Sequence, residues 1–236
     1  MSDAAHPDPQ RPDPLRRDYV GEGISEAEVA RTPWQQARFW VDDAVARSQV
    51  QDDVPEPYAI SVATVDAAGR PNVRTVLMRF FDERGPGFVT GTESTKGLEI
   101  AATGGIAAAL TWPAMYRAIR FRGVAEELSR DEVAGYFGSR PWASRISAWA
   151  SRQSQPIDGR QGLEDAYARY AALFPDRGTA TDVPVPDHWG GYRVVCDEVE
   201  FWGGRRNRLH DRLVFNRVAP GSLDDADAWT LSRRQP

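Results

Sequence analysis

The chain has 236 residues, 41% of them apolar, and a formal net charge of −5. That is enough apolar material for one domain with a sizeable core, and the acidic balance argues against nucleic-acid binding, which needs a basic face to neutralise phosphates. No uncharged apolar stretch approaches the roughly 20 residues of a membrane-spanning helix, and the lone Cys196 excludes a disulfide framework, so a soluble protein of the reducing cytoplasm is expected, with no membrane partner.

Residues 1–14, MSDAAHPDPQRPDP, lack the basic start and apolar core of an export signal and read as a disordered polar leader to a domain over 15–236. Thr32, Pro33 and Gln35 supply a cap, a first-turn proline and a capping-box partner, which predicts a helix. Ala37, Trp40, Val41, Ala44 and Val45 form its apolar stripe, leaving Gln36, Arg38, Asp42 and Asp43 for the other faces. From residue 58 the pattern becomes short β-type runs separated by turns, at 58–65, 73–81 and 87–92. A helix is expected at 98–102 and further strands at 106–112 and 119–128. Ser129 and Glu132 form a capping box ahead of Val133, Tyr136 and Phe137, and a longer helix is expected at 163–174. A loop rich in Pro, Asp, Thr and Gly at 175–186 leads to strands at 192–201, 213–217 and 229–232. The fold class is mainly β with helices, a closed or split barrel with helical additions.

Several segments carry chemistry. Alternation along residues 74–79 puts Arg74, Val76 and Met78 on one face, and Thr75, Leu77 and Arg79 on the other. Thr90 to Gly97 is a hydroxyl- and glycine-rich turn opening a helix, where free N–H groups favour an anion, and Lys96, the only lysine of the chain, adds a point charge there. Tyr136, Arg140 and Ser144 recur at four-residue intervals, which on one helix would share a face, although Pro141 interrupts it. Gln153 and Ser154 offer an amide and a hydroxyl in a loop. None of His6, His188 and His210 has metal-ligand spacing with another, so no metal is expected and His210 is a candidate for proton transfer or hydrogen bonding. Strand alternation would put Arg208, His210 and Arg212 on one side, behind Trp202. Cys196, among valines, reads as a buried apolar residue.

Taken in order, RRDY (from Arg16), RTVLMR (from Arg74), STKG (from Ser94), YFGSRP (from Tyr136), SRQS (ending at Ser154), HWGGYR (from His188), EFWGG (from Glu200) and RLHDR (from Arg208) resemble the pyridoxamine (pyridoxine) 5′-phosphate oxidase family over about residues 16–236. The resemblance implies an FMN-binding split β-barrel that forms a homodimer, with its C-terminal dimerisation segment at about 188–236 and FMN at the subunit interface. It implies FMN contacts from Arg74, Thr75, Val76, Leu77, Arg79, Thr90, Lys96, Gln153, Ser154, Trp202 and Arg212, with Arg74 and Lys96 at its phosphate. Arg79, Tyr136, Arg140 and Ser144 would hold the phosphate of a phosphorylated pyridine substrate. Arg208 and His210 would act at the ring as the catalytic pair, and Arg16 and Tyr19 would close over it. The implied reaction converts pyridoxamine or pyridoxine 5′-phosphate to pyridoxal 5′-phosphate, with O2 as acceptor and H2O2 as by-product. Four positions depart from the family's usual residues: Arg79 stands for lysine, Thr95 for arginine, Val89 for tyrosine and Ala118 for a flavin-contacting glutamine. Arg79 keeps the charge but replaces a flexible point donor by a planar fork. It motivates an alternative, a flavin oxidase of another ring substrate of the phenazine-biosynthesis type. Thr95 and Ala118 motivate a second, a non-catalytic binder of FMN or pyridoxal phosphate.

Overall fold

The computed structural model describes residues 18–236; the expected leader over 1–14 and Arg16 lie outside them. Helix α1 (Pro33–Ser48) begins as the sequence predicts, with the Thr32 hydroxyl accepting the Gln35 N–H at 3.2 Å. The reciprocal bond of a capping box is not made. The Gln35 amide instead donates to Asp224 at 2.9 Å. Ala37, Trp40, Val41 and Ala44 are buried, but so is Gln36, whose side-chain oxygen accepts the Ala30 N–H at 2.9 Å. Position 36 lies one turn ahead of Trp40 and so shares its stripe.

Nine strands among the described residues form one antiparallel sheet: β1 (Ala59–Val65), β2 (Pro71–Leu77), β3 (Phe80–Asp82), β4 (Gly85–Gly91), β5 (Gly105–Trp112), β6 (Arg117–Glu127), β7 (Trp189–Gly203), β8 (Asp211–Arg217) and β9 (Trp229–Arg233). The order is β2-β1-β5-β6-β7-β4-β3, with β8 on β7 and β9 on β8. Alternation decides which side is buried: Ile60, Val62 and Thr64 of β1 and Ile106, Ala108 and Leu110 of β5 face the core.

The single strand expected over 73–81 is two. After Leu77 the chain changes partner: the Met78 N–H donates to the Tyr58 carbonyl at 2.9 Å and the Arg79 N–H to the Gly87 carbonyl at 2.8 Å. The predicted alternation therefore ends at Leu77, with Met78 buried and Arg79 exposed. A bulge interrupts the β6–β7 ladder between Arg122 and Gly123. A Cβ on Gly123 would lie 2.0 Å from the Val195 carbonyl oxygen, so only glycine admits that approach.

The long β7 organises the molecule. One edge pairs with β6 over most of its length, while the other is divided: residues 189–193 pair with β4 and residues 198–203 with β8. Features on β4 and on β8 thus sit at opposite ends of one strand. Phe201 of β7 packs edge-on against Trp40 of α1 at 5.4 Å and against Phe215 of β8 at 5.9 Å, in the main core. Phe201→Ala should lower unfolding stability by about 3–5 kcal/mol, read as a shifted urea midpoint at constant slope; a loss below about 1 kcal/mol would contradict this packing.

Helices α2 (Thr95–Thr103), α3 (Arg130–Ser139), α4 (Trp142–Ala150) and α5 (Gly159–Leu173) complete the domain. The Ser129–Glu132 capping box of α3 is formed in both directions. Tyr136, Arg140 and Ser144 do not share one helix, because α3 ends at Ser139 and Pro141 caps the separate α4. Proline lacks the N–H that a continued helix requires, and Arg140 at the joint is extended, with φ −76° and ψ 148°. Val133 and Phe137 of α3, Ile146 of α4 and Trp189 of β7 form a second apolar cluster. Cys196 is buried in β7, and burial pushes its thiol pKa up. Among the described residues no helix is long and apolar enough to cross a membrane.

Candidate functional site

Strand β4 ends at Gly91, and the turn that follows opens α2, whose N-cap is Ser94. This turn is tight: a Cβ on Gly97 would fall 2.1 Å from the Thr92 carbonyl oxygen. Lys96, only 4% exposed, turns its ammonium inward to the Thr90 hydroxyl at 3.0 Å, the Ser94 hydroxyl at 3.2 Å and the Gln153 amide oxygen at 3.2 Å. All three are neutral acceptors, and Lys96 has no carboxylate partner in a salt bridge among the described residues. Burial, with Arg74 nearby, brings its pKa down to about 8, against the opposing pull of Glu99. A buried cation with no counter-charge, beside the free N–H groups of a helix start, forms a cradle for an anion.

Arg74 of β2 reaches toward the same helix. It donates to the Val62 carbonyl at 3.2 Å and to the carboxylate of Glu99, on α2, at 2.9 Å. Thr75 and Leu77 point to the other side of the sheet, where Thr75 pairs with Ser61 and Leu77 with Ala59, whereas Val76 packs against the core. Ser154 follows Gln153 in a left-handed conformation, φ 70°, and is exposed.

A cavity of about 230 Å³ lies beside the cradle. Thr90, Gly91, Gln153, Arg140, His188 and Trp189 are among the residues that line it. The Arg140 guanidinium lies 5.1 Å from the Trp189 ring centre and 5.8 Å from that of Phe137. One of its amino groups is buried without a hydrogen-bond partner, a free donor for an anion. Burial lowers its pKa, Tyr136 opposes that, and the nearby Arg79 adds to it. Tyr136 stacks parallel to Trp189 at 6.3 Å. Ser144 is half-buried in the first turn of α4. Arg79, Tyr136, Arg140 and the cradle are thus brought to one region, across a helix break.

The segment 205–212 lies at the other end of β7. Trp202 faces Arg212 across the β7–β8 ladder. The Arg212 guanidinium rests on Glu200, at 2.8 and 3.2 Å, which raises its pKa. The His210 ring stands 4.7 Å from the Trp202 ring and 5.0 Å from Tyr19, and the Arg208 guanidinium lies 5.3 Å over the Tyr19 ring. Arg208 and His210 are not on the strand, which begins only at Asp211. Asn207 and Arg208 are both left-handed, φ 59° and 63°, so period-two alternation cannot apply to them. Two successive non-glycine residues in that region store strain of about 1–2 kcal/mol each, and such strain persists where the surroundings over-determine it. The Arg205 N–H donates to His210 Nδ1 at 3.0 Å, which leaves the proton of a neutral ring on Nε2. Burial first, and then Arg208, lower the His210 pKa.

Three residues given no role from the sequence hold these groups in place. Glu99 and Glu200 anchor Arg74 and Arg212. Asp211 accepts the Ile24 N–H at 3.1 Å and pairs with Arg205 and Arg233, tying the N-terminal segment and the 205–210 turn to the sheet. Its position inside RLHDR was a signal; the acceptor roles of Glu99 and Glu200 depend on pairing between distant segments. His188, set aside for want of metal spacing, lines the Arg140 cavity.

The cradle and the aromatic end are far apart in one chain. Thr90 pairs with Gly190 and Arg212 with Trp202, and the intervening length of β7 spans on the order of 40 Å along the strand.

Comparisons with known proteins give the family and the fold. The family model described as "Pyridoxamine 5'-phosphate oxidase" matches residues 46–174, and the one described as "Pyridoxine 5'-phosphate oxidase C-terminal dimerisation region" matches residues 189–236. Proteins named pyridoxine/pyridoxamine 5'-phosphate oxidase are 41% identical in Gloeothece citriformis and 44% identical in Kineococcus radiotolerans, each over 94% of this chain and 97% of the relative. Among solved structures, PhzG from Burkholderia lata, in complex with tetrahydrophenazine-1-carboxylic acid, is similar with a TM-score of 0.77 at 26% identity, over 92% of this chain and 99% of that one. A pyridoxamine 5'-phosphate oxidase-related, FMN binding protein from Nostoc punctiforme shares the fold, with a TM-score of 0.62 at 18% identity over 86% of this chain and 98% of that one. The architecture is thus the split barrel of these proteins.

Proposed function

The chain belongs to the pyridoxamine 5′-phosphate oxidase family, and from that premise we propose that it oxidises pyridoxamine or pyridoxine 5′-phosphate to pyridoxal 5′-phosphate, using FMN, with O2 as acceptor and H2O2 as by-product. The observation that carries this reading is two anion-binding groups at one cavity: the Lys96 ammonium, without a salt-bridge carboxylate, behind the lining residues Thr90 and Gln153, and the partnerless buried amino group of Arg140. They fit two phosphate monoesters, one on the cofactor and one on the substrate.

When bound, FMN supplies the two-electron oxidation at the substrate's 4′ carbon and the transfer of those electrons to O2. The protein binds and orients. Lys96 and the first N–H groups of α2 hold the cofactor's phosphate, with Arg74, Thr90, Gln153 and Ser154 around it and the 75–77 strand segment alongside. Arg140, with Arg79, Tyr136 and Ser144, takes the substrate's phosphate. Trp202 and Arg212 flank the flavin. Arg208 and the neutral Nε2–H of His210 hold the pyridine ring, and Tyr19 closes over both. Because these last groups stand so far from the cradle in one chain, we infer a homodimer in which each site draws on both copies. The match of residues 189–236 to a dimerisation region supports that inference. A cytoplasmic setting, with no membrane or nucleic-acid partner, completes the reading.

The test is to load the purified protein with FMN, read its visible spectrum, and measure pyridoxal 5′-phosphate and peroxide formed from each phosphorylated substrate. A yellow protein that turns over neither substrate would contradict the reading. The likeness to PhzG, together with Arg79, favours a second reading, a flavin oxidase of a non-phosphorylated ring compound. Turnover of a reduced tricyclic carboxylate, with none of pyridoxamine 5′-phosphate, would select it.

A further inference from the structure

Helix α2 presents two charged side chains three residues apart, and they face different partners. Lys96 turns to neutral oxygens in the cradle. Glu99, 8% exposed, turns toward β1 and β2. There it accepts from the Thr64 hydroxyl, from the Asn72 amide at 3.1 Å and from the Arg74 guanidinium at 2.9 Å. The second amino group of Arg74 is also engaged, with the Val62 carbonyl and the Thr64 hydroxyl. The cation expected to help hold a phosphate is therefore already matched by a buried, fully hydrogen-bonded carboxylate. Seen from Lys96 the two oppose each other, Arg74 lowering its pKa and Glu99 raising it. Thr95, next to Lys96, adds no charge.

We propose that Glu99 is an internal counter-ion of Arg74 that competes with the bound phosphate monoester for the guanidinium, and so sets how tightly the cradle holds its cofactor. The inference rests on the reading that this cradle takes the phosphate of FMN. In the free protein the Glu99 carboxylate holds Arg74 in place and cancels its charge. A phosphate arriving beside Lys96 meets one uncompensated cation and must share the other.

The experiment is a double-mutant cycle on FMN affinity, followed by quenching of flavin fluorescence in the full chain at neutral pH. Glu99→Gln keeps the shape and frees the charge of Arg74, so affinity should rise about tenfold, with a steeper salt dependence. Arg74→Gln leaves Glu99 unpaired near the phosphate and should weaken binding at least about tenfold. The double variant restores the original net charge and should lie within about threefold of the wild type. A Glu99→Gln protein that binds FMN no tighter than the wild type, or a double variant as weak as Arg74→Gln alone, overturns the proposal. Should Glu99→Gln not fold, the comparison of Arg74→Gln with the double variant decides. A purely structural Glu99 would make every variant weaker. If the wild type takes up no FMN, the reading of the cradle fails first. The same cycle is then read with inorganic phosphate by thermal shift, where a shift that does not grow in Glu99→Gln sinks the counter-ion by itself.

Discussion

Lys96→Met should weaken FMN binding by about 10- to 100-fold while leaving the fold intact, since a charge-assisted bond to a phosphate contributes about 1.5–3 kcal/mol. The size follows from the setting: the ammonium is buried among three neutral oxygens and has no carboxylate to fall back on. The pH dependence has a definite sign. Only the protonated amine attracts phosphate, and its pKa in the free protein is lowered from 10.5 to about 8. Affinity should be level just below that value and fall about tenfold per pH unit above it, while on the acid side it declines as the phosphate takes its second proton near about 6. Lys96→Met removes the alkaline limb. The stability of the cofactor-free protein moves the other way. Between about 8 and 10.5 the unfolded chain holds a proton on Lys96 that the folded chain has released, so stability rises with pH through that window. Fluorescence titration of FMN and urea unfolding, each across pH 7–10, read the two trends separately; an affinity flat to pH 10 would refute the role given to Lys96.

At the other end of β7 the expected effect is on turnover. His210→Ala and Arg208→Gly should each lower kcat/KM about 100-fold, in the range found for groups that position or polarise a reacting centre, and change the FMN dissociation constant by less than about threefold. Glycine at 208 is chosen because the residue has φ 63°. Glycine adopts that conformation at no steric cost, so the variant removes the guanidinium and relieves strain together. Arg208→Gly should therefore be as stable as the wild type or up to about 1 kcal/mol more stable, and still slow. His210 adds a pH signature. Burial and Arg208 hold its pKa below the ordinary 6.5, and Nδ1 already accepts the Arg205 N–H. The ring is neutral at physiological pH, and the acid limb of kcat/KM should lie below the ordinary histidine value and vanish in His210→Ala. Equal loss of FMN and of turnover in both variants would overturn the division between a cofactor end and a substrate end.

The elements that the sequence made legible are those whose signals are local. Thr32 and Pro33 start α1, and Ser129 with Glu132 starts α3, because caps act within one turn of helix. The alternation of Ile60, Val62 and Thr64 marks β1, because a half-buried strand shows its burial every second residue. Errors came where a second element intervened. Gln36 is buried because the Ala30 N–H needs its oxygen. The strand over 73–81 breaks because the chain leaves β1 for β4. Tyr136, Arg140 and Ser144 meet across a proline joint and not along one helix.

The same division runs through the site. Residue type and spacing, with the family resemblance, were enough to single out Lys96, Arg140, Trp202 and the 208–212 segment: the one lysine of the chain in a hydroxyl-rich turn, an arginine four residues after a tyrosine, and a histidine between arginines. Charge state and partnership were decided only by the tertiary structure. Whether Arg74 is a free cation depends on Glu99, which sits 25 residues away in sequence. Whether Arg208, His210 and Arg212 form one row depends on left-handed residues that no side-chain pattern announces. That the two ends of the site lie at opposite ends of β7 follows from β4 and β8 sharing one edge of that strand. Sequence determines what a residue can donate, accept or bury; folding decides which distant group is there to answer it, because a buried charge takes its pKa and orientation from neighbours it meets only when the sheet closes.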